Sequence, residues 1–289
     1  MYRRKGHCGR GSPLLDSAVP ISCYLSEIEH SFCCRYTDVL SYDNIEFDYD
    51  PYPIGVASPV VEDRLYQEML RCFPPIELFN ESDYHGRKYF LSKKHNRREF
   101  EAFVMSQPVW REFRRYVKSG EFIFGTLEML RAHNIDLGLT RANMSLAARS
   151  LECLKHLAGG HLPNVRPALT GRLEFSALPA DGGMLLPHTD TAKKMITLVI
   201  SMVGEGEWSP EFGGGTEVMK PKDVTKSYNF LNAQLAFDEV ETVKVFDFKP
   251  NQTVIFVKTF NSLHGVRPMT GRGGNMLRRT LTVNIARDV

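Results

Sequence analysis

Residues 187–203 run Pro187-His188-Thr189-Asp190-Thr191-Ala192-Lys193-Lys194-Met195-Ile196-Thr197-Leu198-Val199-Ile200-Ser201-Met202-Val203. Their second half, Met195–Val203, is a short apolar and β-branched run closed by Gly204, the pattern of a strand. Gly171–Leu178, Gly215–Met219, Val243–Phe248, Thr253–Val257 and Leu281–Ile285 share that character, with Gly, Pro, Asp and Asn between them. Short strands without intervening helices predict an antiparallel sandwich or barrel, not a doubly wound sheet. Gly213-Gly214-Gly215 lies between strands rather than before a helix, so it is a turn or strand entry and not a phosphate loop.

Upstream, the pattern changes to a helical one. Val61, Leu65, Met69, Cys72 and Phe73 follow the helical period, and Pro74-Pro75 ends the run. A second helical region spans about 96–131, with Phe100, Phe103, Val104, Trp110, Phe113, Tyr116 and Val117 as a core-facing stripe interrupted at Pro108. Residues 46–61 read as extended chain with prolines near the start. Residues 1–45 have no clear period, and Arg3, Arg4, Lys5 and Arg10 among glycines suggest a loose N-terminal arm. The expected organisation is α+β: an arm over 1–45, then one domain over 46–289, mainly helical to 165 and a β core from 166.

The chain has 289 residues, 43% hydrophobic and 24% charged, enough for a sizeable core. A formal net charge of +2 gives no electrostatic reason to expect nucleic acid as a partner. No apolar stretch approaches the roughly 20 residues of a membrane span, and Gly6–Asp16 is too polar for a secretory signal. The six cysteines, Cys8, Cys23, Cys33, Cys34, Cys72 and Cys153, form no C-x-x-C pair, which argues against a zinc ribbon and for reduced packing thiols in a cytoplasmic protein.

The chemistry concentrates in the β-rich half. In extended chain, His188 and Asp190 project from the same face and can reach one point. Ser262-Leu263-His264-Gly265, just after the strand Thr253–Val257, offers a third donor. Two His and one carboxylate with open positions make the facial triad of non-haem Fe(II) sites. Arg278 and Arg279 open the last strand, and a guanidinium fork suits a small dicarboxylate.

Taken in order, Pro187-His188-Thr189-Asp190, Gly213-Gly214-Gly215-Thr216-Glu217, Ser262-Leu263-His264-Gly265-Val266 and Arg278-Arg279-Thr280-Leu281-Thr282 resemble the Fe(II)/2-oxoglutarate-dependent dioxygenases, in particular their prolyl-4-hydroxylase-like branch. The resemblance covers roughly Gly171 to Val289. It implies a double-stranded β-helix (jelly-roll) core with Fe(II) on His188, Asp190 and His264, and 2-oxoglutarate and O2 as cosubstrates. It also implies oxidative decarboxylation to succinate and CO2 coupled to hydroxylation of a C–H bond. Arg278 matches the arginine that pairs with the distal carboxylate of 2-oxoglutarate, and Thr280 would give a second hydrogen bond. Period two sends Arg278, Thr280 and Thr282 to one face and Arg279, as a strand-edge charge, to the other. Asp190 favours hydroxylation over halogenation, since the related halogenases lack this carboxylate. The expected substrate is a small polar metabolite, with a protein side chain as the second choice. A jelly-roll binding protein without turnover and a cupin-type metal enzyme are the competing classes.

Four other features invite a functional reading and receive a plainer one. His156 and His161 are poorly spaced for ligation and read as loop residues. Lys193-Lys194 reads as a solvated turn, with an anionic substrate contact as the alternative. Trp208 is either a packed aromatic or a cap on the substrate, and Tyr228–Asp238 is a loop or short helix over the opening.

Overall fold

The computed structural model describes residues 39–82, 88–139, 169–271 and 275–287, together with Leu154 and Ala158. Most of the N-terminal arm, His156, His161 and the cysteines other than Cys72 lie outside the described residues. Among the described residues four complete helices precede the main run of strands: α1 (Asp63–Arg71), α2 (Arg97–Ser106), α3 (Pro108–Val117) and α4 (Gly120–Ala132). Each follows from local chemistry. The Glu62 carboxylate accepts from the Arg64 and Leu65 N–H groups to start α1. Pro108 takes the first position of α3, where its missing N–H costs nothing. Ser119 caps α4 through the Phe122 N–H.

The strands after the helices are β5 (Leu169–Pro179), β6 (Leu185–His188), β7 (Lys194–Ser201), β8 (Thr216–Pro221), β9 (Val240–Phe246), β10 (Thr253–Val257), β11 (His264–Val266) and β12 (Leu277–Arg287). Apart from the β8–β9 hairpin, they alternate between two antiparallel sheets. One contains the order β10-β7-β12-β5 and the other the order β6-β11-β8-β9. Chain order thus passes from sheet to sheet, each hairpin folding over the last, which is the topology of a double-stranded β-helix. The α+β jelly-roll expectation holds on this register.

The helical half also supplies strands: residues 46–61 had read as extended chain, whereas 80–92 had not been read as strand. β1 (Glu46–Asp48) and β2 (Ile54–Ala57) extend the larger sheet beyond β10, while β3 (Asn80–Ser82) and β4 (Lys88–Ser92) extend it beyond β5, giving eight strands. Both edges of the barrel sheet are covered in this way rather than left as open ladders.

The helices pack on the outer face of the larger sheet. Phe175 of β5 is fully buried, and Trp110, Phe103, Phe100 and Phe73 surround its ring with centroids 4.8 to 6.2 Å away. Gly171 lets α3 close on the strand: a Cβ there would stand 1.7 Å from the Val117 carbonyl oxygen. From α1, Tyr66 reaches under the sheet, its buried hydroxyl 2.8 Å from the Ser201 and Val203 carbonyls. Among the described residues no helix is long and apolar enough to cross a membrane.

Candidate metal centre

Because Phe175 faces the helices, its neighbours Glu174, Ser176 and Leu178 face the other sheet. β12 runs antiparallel to β5 with Arg278 opposite Leu178, Thr280 opposite Ser176 and Thr282 opposite Glu174. These residues line one cavity between the sheets, which His188, Asp190, Lys194, Thr197, Phe256 and His264 also line.

His188 ends β6 and His264 begins β11, directly opposite each other in the ladder. With Asp190 they form a buried group whose candidate ligand atoms lie within 4.8 Å of one another. Each imidazole is oriented by its own chain: His188 Nδ1 lies 2.8 Å from the Leu186 carbonyl and His264 Nδ1 lies 2.9 Å from that of Ser262. With Nδ1–H donating backwards, Nε2 carries the lone pair that faces the group. His188 Nε2 stands 3.9 Å from Asp190 Oδ1. The Phe256 ring stacks on His264 at 4.1 Å and fixes its plane.

Asp190 adopts a left-handed backbone (φ 65°), a conformation that a non-glycine residue holds at a cost of about 1–2 kcal/mol. The preceding residue explains how. Thr189 donates its hydroxyl to the Asn229 carbonyl at 2.6 Å and its N–H to Asn232 Oδ1 at 3.1 Å, while the Leu235 N–H donates to the Pro187 carbonyl. The segment 228–238 therefore clamps the H-x-D turn. It is turn structure with a short 3-10 helix at Phe237–Glu239, and Tyr228 and Phe260 stack on its exposed side at 5.3 Å.

Both carboxylate oxygens of Asp190 are engaged. Lys194 Nζ lies 2.7 Å from Oδ1, and Thr197 donates to Oδ2 at 3.0 Å. Burial opposes the charge, yet Lys194 and the two imidazoles hold the Asp190 carboxyl well below the usual carboxylate range. Burial pushes the His264 imidazole down, toward its neutral ligating form. Lys194 is thus a half-buried pocket residue, and the solvated-turn expectation holds only for exposed Lys193. Lys194 starts β7, and the Asp190 that draws it inward belongs to the preceding turn. Further along, Glu174 pairs with Lys88 at 3.0 Å.

At the cavity's other end, Arg278 is 5% exposed. Its Nε donates to the Gly214 carbonyl, Nη2 lies 3.4 Å from Thr216 Oγ1, and its guanidinium covers Phe248 at 4.6 Å. No carboxylate pairs with it among the described residues, and burial lowers its pKa to about 10. A buried guanidinium without a counter-ion is costly, so an anionic ligand is its natural partner. Thr280 is buried beside it in the same face, 2.8 Å from Ser176 Oγ. Arg279 points the other way, to Glu207 at 3.1 Å and over Phe73. Trp208 packs on Phe248 and Phe212 and donates to the Gly213 carbonyl, so it is a packed aromatic.

The glycine motif now has a physical role. Gly214 (φ +83°) supplies the carbonyl for Arg278, and a Cβ there would meet Met269 Sδ at 2.9 Å, Trp208 Cζ2 at 3.0 Å and Arg278 Cδ at 3.2 Å. Gly214→Ala is therefore expected to displace Arg278 and abolish stabilisation by 2-oxoglutarate in a thermal melt. Gly213→Ala, with open space around its Cβ, is expected to keep that response and cost only about 1–2 kcal/mol of backbone strain. Equal responses in the two variants would break the link between Gly214 and the arginine.

The chain matches no protein-family model, and no curated protein matches its sequence. Solved structures similar to it include a Pseudomonas putida prolyl-4-hydroxylase, 12% identical over 88% of this chain and 99% of that one, with a TM-score of 0.42. Others are the non-heme alpha-ketoglutarate-dependent epimerase SnoN from nogalamycin biosynthesis (10% identical, 91% and 81% covered, TM-score 0.40) and a 2OG-Fe(II) oxygenase family oxidoreductase from Burkholderia pseudomallei (12%, 91% and 79%, TM-score 0.33). At these scores the likeness decides nothing by itself. The fold stands on the strand order, and the His-Asp-His donor set is of the kind that suits iron.

Proposed function

We propose that the protein is an Fe(II)- and 2-oxoglutarate-dependent oxygenase that hydroxylates a C–H bond of a small polar metabolite, releasing succinate and CO2. One observation carries the reading: a His188-Asp190-His264 donor set and a buried arginine with no carboxylate partner among the described residues line the same cavity. His188, Asp190 and His264 would hold the iron, which when bound supplies the redox chemistry with O2. The chain's own residues bind and orient. Arg278 would take the distal carboxylate of 2-oxoglutarate, with Thr280 and Thr216 as hydroxyl partners. Leu178, Val199 and Val266 line the wall between and limit access of water. The polar lining by Lys88, Glu174, Ser176 and Thr282 supports a small polar substrate over an apolar one. A cytoplasmic location belongs to the same proposal, supported by the scattered cysteines and the free Cys72 thiol.

The test is a thermal melt without oxygen, with Fe(II), with and without 2-oxoglutarate. A ligand that binds only the folded state raises the midpoint by mass action. The rise with 2-oxoglutarate should require iron, and Arg278→Met should remove it while leaving the iron-only rise. A native protein indifferent to 2-oxoglutarate would sink the proposal and favour a binding module.

A further inference from the structure

Of the three residues read as metal ligands, only Asp190 lies outside a strand, since β6 ends at His188 and β11 begins at His264. The β6–β11 ladder is itself short and shifts in register between His264 and Val266. What holds the turn is Thr189, which is fully buried. Its N–H donates to Asn232 Oδ1 at 3.1 Å and its hydroxyl to the Asn229 carbonyl at 2.6 Å, while the Ser262 hydroxyl stands 3.5 Å from its carbonyl. Both asparagines belong to one closed loop. Asn229 Nδ2 donates to the Ala233 carbonyl and Asn229 Oδ1 accepts from the Ala233 N–H, each at 2.7 Å, so residues 229–233 form a ring that includes Asn232. The Asn229 N–H then donates to the Phe260 carbonyl at 2.8 Å. The ring thereby ties the His188–Asp190 segment to the chain that leads into His264.

We propose that Asn232 is a positioning residue for the metal centre: its side-chain oxygen holds the Thr189 peptide so that Asp190 keeps the left-handed backbone with its carboxylate beside the two imidazoles. The role rests on the reading of His188, Asp190 and His264 as the metal site. Asn232 is not among the residues that line the cavity, so it acts through Thr189. Its position makes two demands at once. The backbone of Asn232 is itself left-handed (φ 62°), which among residues with a side chain Asn and Asp tolerate best, and the side chain must present an acceptor. Asn and Asp meet both demands, Gly meets only the first and Ala meets neither. Loop conformation alone would be served as well by Gly. An outer partner that orients a ligand is worth about 10–100-fold in metal affinity, and that is the effect expected of this oxygen.

The experiment measures Mn(II) affinity of the full chain by calorimetric titration, at a temperature where every variant is folded, and amide exchange at Thr189 in the metal-free protein. Asn232→Gly keeps the backbone and removes the acceptor. It should bind Mn(II) at least about tenfold more weakly and exchange the Thr189 amide faster. Asn232→Asp keeps the acceptor and should bind at or above the native affinity. Leu231→Gly, at the exposed neighbouring position, loosens the same loop without removing an acceptor and should leave the affinity unchanged. Native Mn(II) affinity in Asn232→Gly, with the loss confined to urea stability, would overturn the positioning role. An equal loss of affinity in Asn232→Asp or Leu231→Gly would overturn it too. His264→Ala reads the underlying assignment. If the native protein ignores Mn(II), or if binding survives His264→Ala, the metal site fails and the role of Asn232 falls with it. If His264→Ala abolishes binding while Asn232→Gly keeps it, only the positioning role fails.

Discussion

Asp190→Asn is expected to weaken metal binding by at least about 100-fold, because removing a mere orienting partner of a ligand already costs about 10–100-fold. The amide keeps the shape of the carboxylate and can still accept from Thr197, 3.0 Å away. What it loses is the charge, on which both the metal and Lys194 depend. The metal-free protein should also lose stability. Breaking one partner of a fully buried pair costs about 3–5 kcal/mol, and Lys194, with 32% of its side chain exposed, recovers part of that from water, leaving about 1–2 kcal/mol. Calorimetric titration with Mn(II) reads the first quantity, and urea unfolding without metal reads the second. Native Mn(II) affinity in the Asn variant would mean that His188, Asp190 and His264 are not the metal site, whatever their proximity. Loss of stability without loss of affinity would make Asp190 a structural counter-ion for Lys194.

How much of this was legible in the sequence depended on the range of the contact involved. The shared face of Arg278, Thr280 and Thr282, opposite to Arg279, followed from strand alternation because β12 is long and regular. His188 and Asp190 were readable as a pair from their spacing, although the extended chain assumed for them ends at His188 and Asp190 has a left-handed backbone. That His264 faces His188 is a property of the β6–β11 ladder. Those strands have only four and three residues, too few for alternation to mark them, so His264 could be offered as a third donor only from its place after β10 and from the resemblance of motifs in order. Lys194 was read as part of a solvated turn and Lys258 was not singled out, because charge next to a strand normally means solvent. Only tertiary structure shows that one bends to Asp190 and that the ammonium of the other is sealed from solvent. Asn229 and Asn232 were hidden in a segment without periodicity, and their contact with Thr189 joins residues about forty positions apart. The local chemistry of the site was visible, and the pieces that clamp and balance it were not.

Phe175→Ala is expected to cost about 3–5 kcal/mol, the range for truncating a buried aromatic. Its ring is the point where the helical layer grips the barrel: Trp110 meets it edge-on at 4.8 Å, Phe73 at 5.6 Å and Phe103 at 5.7 Å. These rings come from three separate segments of the chain, so no single neighbour can move in to fill the space without leaving another gap. The same strand carries Glu174 and Ser176 on its inner face, opposite Thr282 and Thr280. Loosening the outer face should therefore reach the cavity, and 2-oxoglutarate affinity should fall together with stability even though Phe175 touches no proposed ligand position. Urea unfolding should show a lower midpoint with an unchanged slope, as expected when stability changes but the surface exposed does not. A loss below about 1 kcal/mol would show that the site collapses around the missing ring. The helices would then be a cover on the larger sheet and not the support that sets the position of β5. A full loss of stability with native 2-oxoglutarate affinity would separate the two roles differently, leaving β12 and its own hydrogen bonds to hold Arg278 and Thr280 in place.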